Sequence, residues 1–256
     1  MVHFIGAGPG APDLLTLRAA DLISAANVVL YAGSLVPAAV VARARPDAEV
    51  LDTSGMTLDE IVERMAAAHR AGEDVARVHT GDPCLFGAIA EQMRRLDALG
   101  ISYDVVPGVS SFTAAAAALR RELTLPGVSQ AVIVARAPGR TPVPAGQELD
   151  ELGRHGATLA LFLSAGLVEE VVAALLPSYG PDCPVAVVHR ASWPDERVFR
   201  GTLATIAGEL RAAGVGATAM ILVGPALAAE GFPDSRLYAA GFGHGWRAAR
   251  QPEGSR

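Results

Sequence analysis

The chain lacks lysine: all 21 basic side chains among its 256 residues are arginine. Schiff-base enzymes, pyridoxal-phosphate enzymes and P-loop nucleotidases each need a lysine that bonds the substrate or cofactor, or that reaches the phosphates. These three classes of catalytic chemistry are therefore excluded.

Cysteine is also scarce, because the chain has only Cys84 and Cys183 and neither belongs to a C-x-x-C pair. This excludes a disulfide or zinc framework and indicates reduced thiols in a cytosolic protein. The six histidines show no metal-ligand spacing, and no G-x-S-x-G motif is present. We therefore expect neither a metal site nor acyl-enzyme chemistry.

Positive charge is in deficit, with 21 basic against 27 acidic side chains and a net charge of −6. Sequence-independent binding to nucleic acid draws its affinity from basic side chains that contact the phosphates. We therefore expect no nucleic-acid partner. The longest uncharged stretch, residues 22–42, is interrupted by Asn27, Gly33, Ser34 and Pro37, so we expect no membrane span. The N-terminus lacks the charged region and cleavage site of a signal peptide, which predicts a cytoplasmic location.

Small aliphatic residues are abundant, since 51% of the chain is hydrophobic and only 5% is aromatic. In the first half, short apolar runs alternate with stretches of helical period, which predicts βαβ units and a mainly parallel sheet. The predicted strands there are residues 2–5, 28–31, 74–79 and 103–106. The predicted helices are residues 16–25 and 58–69, and a third that begins near residue 87.

The second half predicts a helix over residues 109–119 and a sheet with both parallel and antiparallel pairing. Its predicted strands are residues 131–135, 158–163, 185–189, 197–202 and 218–223. The predicted fold class is α/β, with one α/β domain over residues 1–112 and a second over residues 113–238. Residues 239–256 are polar and without period, which predicts a flexible tail.

The first chemical signal is a glycine-rich turn after the first strand, where residues 6–12 read GAGPGAP. The turn satisfies the loose dinucleotide-binding pattern. Two observations disfavour that interpretation: Pro9 and Pro12 have no N–H for a pyrophosphate, and strand two ends without an acidic partner for a ribose. A plain tight turn and a surface for a nucleotide-like ligand both remain open.

Two further loops follow strand ends and contain glycine: residues 79–87 read HTGDPCLFG, and residues 106–114 read VPGVSSFTA. Asp82 either contacts a ligand or caps the next helix, whereas Cys84 is interpreted as a small buried filler. Ser110 and Ser111 either cap a helix or contact a ligand beside its free N–H groups. Because ligands of open α/β sheets bind beyond the carboxyl ends of the strands, we expect all three loops to share one site.

Taken together, the segments GAGPG, LLTL (residues 14–17), GDP and PGVSS resemble the tetrapyrrole methylase family of S-adenosylmethionine-dependent methyltransferases. The resemblance covers residues 1 to about 232. Residues 30–36 (LYAGSLV), 122–130 (ELTLPGVSQ) and 189–196 (HRASWPDE) are similar to the branch that methylates C11 of precorrin-4 in cobalamin biosynthesis. The resemblance implies two α/β domains with a ligand cleft between them, as in class III methyltransferases, an anionic tetrapyrrole substrate and a homodimer.

Carried over position by position, the resemblance assigns a set of residues to S-adenosylmethionine and its product S-adenosylhomocysteine. The cofactor set is Pro9, Thr80, Gly81, Asp82, Leu85, Ser110, Ser111, Leu163, Ser164, Ala219 and Gly224. Candidates for the substrate are Tyr31, Ser34, Arg120, Arg136 and Arg190, the arginines because a guanidinium suits carboxylates.

One position departs from the family pattern. Uroporphyrinogen methylases have an aspartate, proposed as a base, after the strand-two tyrosine, and this chain has Ala32 there. We therefore expect no essential general acid or base and assign no catalytic residue. Methylation of another corrin or porphyrin position, methylation of protein or RNA, a nicotinamide-dependent oxidoreductase and a non-catalytic nucleotide-binding protein remain the competing hypotheses.

Overall fold

The computed structural model describes residues 1–250 and contains two five-stranded sheets. The first sheet has the order β3-β2-β4-β1-β5, and all of its strand pairs are parallel. Its strands are β1 Val2–Gly6, β2 Val28–Tyr31, β3 Glu49–Asp52, β4 Val75–His79 and β5 Tyr103–Val106. The parallel sheet predicted for the first half is present.

Helices cover both faces of the first sheet, as a parallel sheet requires. They are α1 Leu17–Ala25, α2 Ala38–Val41, α3 Leu58–Arg70 and α4 Ala90–Ala98, with a 3₁₀ turn at Pro12–Leu14. Side chains of α1 and α2 pack with Ile5 and Val78 on one face, while α3 and α4 pack with Phe4 and Leu30 on the other. The alternation of buried side chains along each strand supplies both halves of this core.

The second sheet has the order β6-β7-β10-β8-β9, in which β6 and β7 are parallel and the other neighbours are antiparallel. Its strands are β6 Val132–Arg136, β7 Thr158–Phe162, β8 Pro184–His189, β9 Arg197–Thr202 and β10 Ala219–Val223. The helices are α5 Ser111–Leu119, α6 Leu149–Gly153, α7 Val168–Tyr179 and α8 Ile206–Ala213, with 3₁₀ turns at Ala165–Leu167, Pro225–Leu227 and Arg236–Tyr238. The mixed pairing predicted for this half is present.

Helix α5 belongs by its packing to the second sheet, although it directly follows the last strand of the first. Its alanine face packs against Ala160, Ala186 and Met220, and the small side chains on both sides allow a close approach. The other face of the second sheet is covered by α6, α7 and α8. The predicted domain boundary, between residues 112 and 113, therefore falls within the first turn of α5.

The chain after the last 3₁₀ turn is arranged around one arginine. The guanidinium of Arg247 donates hydrogen bonds to the backbone carbonyls of Leu237, Ala239 and Phe242, at 2.8, 2.9 and 3.2 Å. The predicted tail thus contains turns up to residue 250, and residues 251–256 lie outside the described part of the chain. No helix within residues 1–250 combines the length and the hydropathy needed to cross a membrane.

Candidate active site between the two domains

The three glycine loops meet at the carboxyl edge of the first sheet, because β4, β1 and β5 are neighbours in it. A Cβ on Gly6 would lie 2.6 Å from Gly108 Cα and 2.7 Å from the Gly81 carbonyl oxygen. The backbones of Gly8 and Gly81 also exchange two hydrogen bonds, at 2.8 and 3.2 Å. The glycines are needed at these positions because the loops pack backbone against backbone.

Asp82 connects two of these loops through its side chain. Its Oδ1 accepts a hydrogen bond from the N–H of Cys84 at 2.8 Å, and its Oδ2 accepts one from the N–H of Gly108 at 3.0 Å. The interpretation of Asp82 as a helix cap is wrong, because α4 begins at Ala90 and Ile89 is its N-cap. The predicted start of this helix, near residue 87, is also wrong, because the helix begins three residues later. Asp82 stabilises the loops that form the site.

A cleft of about 360 Å³ lies between these loops and one edge of the second sheet, where β7 and β8 end and the antiparallel β10 begins. That volume is in the range of small-molecule sites. Its lining residues are Pro9, Leu35, Thr80, Gly81, Asp82, Leu85, Phe86, Ser111, Phe162, Leu163, Ala165, Val188, Arg190, Ala191, Trp193, Gly216, Ala217, Thr218, Ala219 and Met220. Of these residues, only Asp82 and Arg190 carry a charge.

The N-terminus of α5 reaches the cleft with two serines. Ser111 lines the cleft, and its neighbour Ser110 is the N-cap residue, whose side chain makes no capping hydrogen bond. The Ser110 hydroxyl is buried and has no hydrogen-bond partner. A buried polar atom without a partner is uncommon in folded proteins, so we expect a water molecule or a ligand in the cleft to bind this hydroxyl.

The second domain contributes an apolar wall. The Phe162 ring lies 5.1 Å from the ring of Phe86, so aromatic side chains of the two domains contact each other at the cleft. Leu163 has a left-handed backbone, with φ of 55°, and the residue is 68% exposed. A bulky residue in that conformation is strained, and such strain is common at ligand sites.

The structure brings most of the predicted cofactor residues to the cleft. Those that line it are Pro9, Thr80, Gly81, Asp82, Leu85, Ser111, Leu163 and Ala219. Ser110 and Ser164 adjoin residues of the lining. Gly224 follows β10 at the opposite end of the second sheet, next to Thr158, so the structure does not bring it to the cleft. The Ser164 hydroxyl donates to the Phe162 carbonyl at 2.6 Å and accepts from the N–H of Ala137 at 2.8 Å, so it stabilises the wall.

The predicted substrate residues are dispersed. Arg190 lines the cleft, but Tyr31, Ser34, Arg120 and Arg136 do not. Arg120 is exposed at the C-cap of α5, and Arg136 donates hydrogen bonds to the carbonyls of residues 137, 141 and 142, which hold its own loop. Contacts between these residues and a substrate stay a prediction.

Two buried polar residues beneath the loop after β4 were not predicted. Arg77 donates hydrogen bonds to Gln92 and to Thr53, each at 3.1 Å, and burial lowers its pKa to about 10. Burial, and then the nearby charge of Arg77, lowers the pKa of His79 to about 3. His79 is therefore neutral at physiological pH. The sequence contains a sign of these two residues, since an arginine and a histidine interrupt the otherwise apolar strand β4.

Cys84 near the cleft is exposed, so its interpretation as a buried filler is wrong. Partial burial, and then the carboxylate of Asp82, raises the pKa of Cys84 above its ordinary value, so the thiol stays protonated at neutral pH. A thiolate is the nucleophilic form of cysteine. Together, the glycine loops, the apolar wall and the N-terminus of α5 form a site that binds and orients a ligand and offers no activated nucleophile.

The sequence matches the family model described as Tetrapyrrole (Corrin/Porphyrin) Methylases over residues 1–207. The chain belongs to the tetrapyrrole methylases. The resemblance inferred from the glycine loops is therefore confirmed, and so is the α/β fold class with two domains.

Curated tetrapyrrole methylases resemble the chain along nearly its whole length. It is 55% identical over 240 residues to a precorrin-4 C(11)-methyltransferase from Rhodococcus erythropolis, covering 93% of this chain and 96% of the relative. It is 53% identical to a precorrin-4 C(11)-methyltransferase from Pseudomonas aeruginosa, with 96% and 98% covered. A cobalt-precorrin-4 C(11)-methyltransferase from Methanocaldococcus jannaschii is 43% identical, with 98% and 97% covered.

Solved tetrapyrrole methylase structures share the fold. The cobalt precorrin-4 methyltransferase structure has a TM-score of 0.87 and 47% identity, covering 89% of this chain and 96% of the solved one. A uroporphyrin-III C-methyltransferase from Thermus thermophilus, complexed with S-adenyl homocysteine, has a TM-score of 0.72 and 31% identity, with 88% and 98% covered. The methyltransferase fold extends through both domains.

Proposed function

We propose that this protein transfers a methyl group from S-adenosylmethionine to C11 of precorrin-4 in cobalamin biosynthesis. The observation that carries the proposal is its identity of 53–55% to precorrin-4 C(11)-methyltransferases over 93–96% of the chain. The cleft adds independent support, since loops from both domains enclose it and its walls are mainly apolar.

The residues at the cleft fit S-adenosylmethionine. The glycine loops expose backbone on which a nucleoside can lie, and the Ser110 hydroxyl and the free N–H groups of α5 can bind its polar groups. A solved relative was crystallised with the demethylated cofactor. A nicotinamide dinucleotide fits less well, because Pro9 has no N–H and Ala32 stands where such sites use an acidic residue.

When bound, S-adenosylmethionine would supply a methyl group attached to a positively charged sulfonium. Transfer of that methyl group leaves the sulfur as a neutral thioether. The chain's residues need only bind and orient the two reactants, because an electron-rich carbon of the macrocycle can attack without prior loss of a proton. Placing reactants in contact contributes about 7–11 kcal/mol to lowering a barrier. A site that has no nucleophile can therefore lower the barrier to methyl transfer by this amount through positioning alone.

Asp82 and His79, which lie in the loop after β4 and at the end of that strand, are poorly suited to act as a general base. Both oxygens of Asp82 accept backbone hydrogen bonds, and burial lowers the pKa of His79 to about 3, which makes its imidazole a weak base. Position 32 carries an alanine. We propose that turnover depends on positioning and that no single acid or base is essential.

Arg190 is the residue of the cleft lining that suits the carboxylates of a tetrapyrrole. Its Nη1 lies 2.6 Å from Asp195 Oδ2, and its side chain is 39% exposed. A substrate carboxylate can compete with Asp195 for this guanidinium, because solvent-exposed ion pairs are weak. We propose Arg190 as one group that orients the macrocycle.

We further propose that the enzyme is a homodimer in the cytoplasm and acts without nucleic acid. The acidic net charge of −6 and the two free thiols support the last two parts of this proposal. Light scattering after size-exclusion chromatography tests the dimer, and a monomeric mass at micromolar concentration would contradict it.

The proposed function is tested first by calorimetry with S-adenosylhomocysteine, NAD and ATP. We expect binding of the first and none of the others; binding of NAD alone would favour an oxidoreductase. Turnover is then measured with S-adenosylmethionine and either metal-free or cobalt-containing precorrin-4. Formation of one S-adenosylhomocysteine per methylated macrocycle supports the proposal, whereas no turnover with either substrate would refute it.

A further inference from the structure

A short segment of the second domain crosses to the first domain at the edge of the cleft. Residues 190–196, which we call the strap, lead from β8 to β9. The Ser192 hydroxyl accepts a hydrogen bond from the N–H of Ala11 at 2.9 Å. The Trp193 indole Nε1–H donates one to the Pro9 carbonyl at 3.0 Å. The strap therefore holds the loop after β1 from the other domain.

Gly10 is the residue that makes room for the strap. A Cβ at Gly10 would lie 2.1 Å from Cδ1 and 2.3 Å from Nε1 of Trp193, closer than any side chain allows. The third glycine of the GAGPG segment is thus needed for the approach of an indole.

The strap is held in an unusual conformation by its own contacts. Arg190 and Ser192 have left-handed backbones, with φ of 51° and 67°. The Ser192 N–H donates to the Glu196 carboxylate at 2.6 Å, and the Arg190 guanidinium lies 4.9 Å from the centre of the Trp193 ring. Such strain persists only where the surroundings fix the segment, and it is concentrated at functional sites.

We infer that Trp193 is a positioning residue, which holds the Pro9 loop against the second domain and so sets the width of the cofactor end of the cleft. Pro9 and Trp193 both line the cleft, and the hydrogen bond between them spans its two walls. Trp193 acts through the Pro9 carbonyl and needs no contact with the reacting atoms. The choice of S-adenosylhomocysteine as the probe rests on the proposed function.

The seating of the indole is tested by fluorescence without any ligand. The chain has two tryptophans, and Trp246 is 97% exposed, so Trp246→Phe leaves Trp193 as the reporter. Adding Gly10→Ala should displace the indole into water, which shifts its emission to longer wavelength and increases quenching by acrylamide. Gly55→Ala is the matched control, because nothing lies within 4 Å of its added Cβ. Equal spectra for the Gly10 and Gly55 variants would overturn the inference.

The functional arm measures the dissociation constant of S-adenosylhomocysteine. Trp193→Phe keeps an aromatic ring but loses the N–H, and should weaken binding about two- to tenfold, the scale of one hydrogen bond. Its thermal unfolding midpoint should stay near that of the unaltered protein, which a merely structural residue would not allow. Unchanged affinity in Trp193→Phe, and also in Trp193→Ala, would overturn the inference.

A double-variant cycle shows whether Gly10 and Trp193 act through one contact. Gly10→Ala should weaken binding strongly in the unaltered protein and little in the Trp193→Ala background, because coupled residues are not additive. Equal losses in both backgrounds would contradict the inference. If the unaltered protein fails to bind S-adenosylhomocysteine, the proposed function is refuted and the fluorescence arm alone decides the placement of Trp193.

Discussion

The carboxylate of Asp82 accepts a hydrogen bond from the backbone N–H of Gly108 at 3.0 Å, and so joins the loop after β4 to the loop after β5. Its other oxygen accepts from Cys84 in its own loop. One side chain therefore fixes the distance between two loops of the cleft. We expect ligand binding to depend on Asp82 through this geometry.

Asp82→Asn should raise the dissociation constant of S-adenosylhomocysteine about tenfold. The amide replaces a carboxylate oxygen by an N–H₂ group that cannot accept, and a hydrogen bond to a charged group contributes about 1.5–3 kcal/mol. Calorimetry measures the change. Asp150→Asn, at an exposed position on α6, is the control and should bind as the unaltered protein does. Equal affinity in both variants would contradict this role for Asp82.

Gly108→Ala should destabilise the first domain and open the site. The added Cβ would lie 2.2 Å from the Gly81 carbonyl oxygen and 2.8 Å from Gly6 Cα, so backbone has to move. Overpacking of this kind costs about 1–3 kcal/mol. Urea unfolding measures the loss, with Gly55→Ala as the control whose Cβ meets open space. A free energy of unfolding equal to that of the control would show that the loops tolerate the methyl group.

His79 should make stability fall as the pH is lowered from about 7.5 to 5. Burial, and then Arg77, lowers its folded-state pKa to about 3, whereas the unfolded chain binds a proton near the ordinary value of 6.5. Because the unfolded state binds more protons in this window, the free energy of unfolding falls by about 2 kcal/mol between these two pH values.

The measurement for His79 is urea unfolding at both pH values. His79→Gln should remove most of the difference, and His69→Gln, at an exposed position on α3, should leave it unchanged. A full pH difference in His79→Gln would assign the effect to other groups.

Arg190→Gln should raise the KM for the tetrapyrrole about tenfold or more, because it removes a charge-assisted contact to a carboxylate. Arg94→Gln is the control, since that side chain is exposed on α4 and outside the cleft. Asp195→Asn frees the guanidinium and should not raise KM. Steady-state kinetics that show equal KM values for both arginine variants would exclude Arg190 from substrate binding.

The sequence predicts the strands well where apolar residues alternate or run together, and it misses β3. That strand, Glu49–Asp52, lies at the edge of the first sheet with mostly exposed side chains, so it lacks the apolar pattern that marks the others. The start of α4 is also missed, because Phe86 and Ala88 adopt left-handed backbones that only the surrounding loops determine. Local pattern does not record such tertiary constraints.

The first-domain half of the site is predictable, because parallel strands end at one edge and each is followed by a glycine loop. The strap is not predictable in this way. Trp193 and Pro9 are 184 positions apart, and their hydrogen bond depends on how the two domains pack. A tryptophan in a polar turn gives no local signal for that contact. The role of Gly10 is hidden for the same reason.

The most direct test of the account is the position of the transferred methyl group. The protein is incubated with metal-free precorrin-4 and S-adenosylmethionine carrying an isotopically labelled methyl group, and the product is analysed by NMR. The account predicts a single labelled methyl at C11. A labelled methyl at another position of the macrocycle, or no transfer of the labelled methyl, would contradict it.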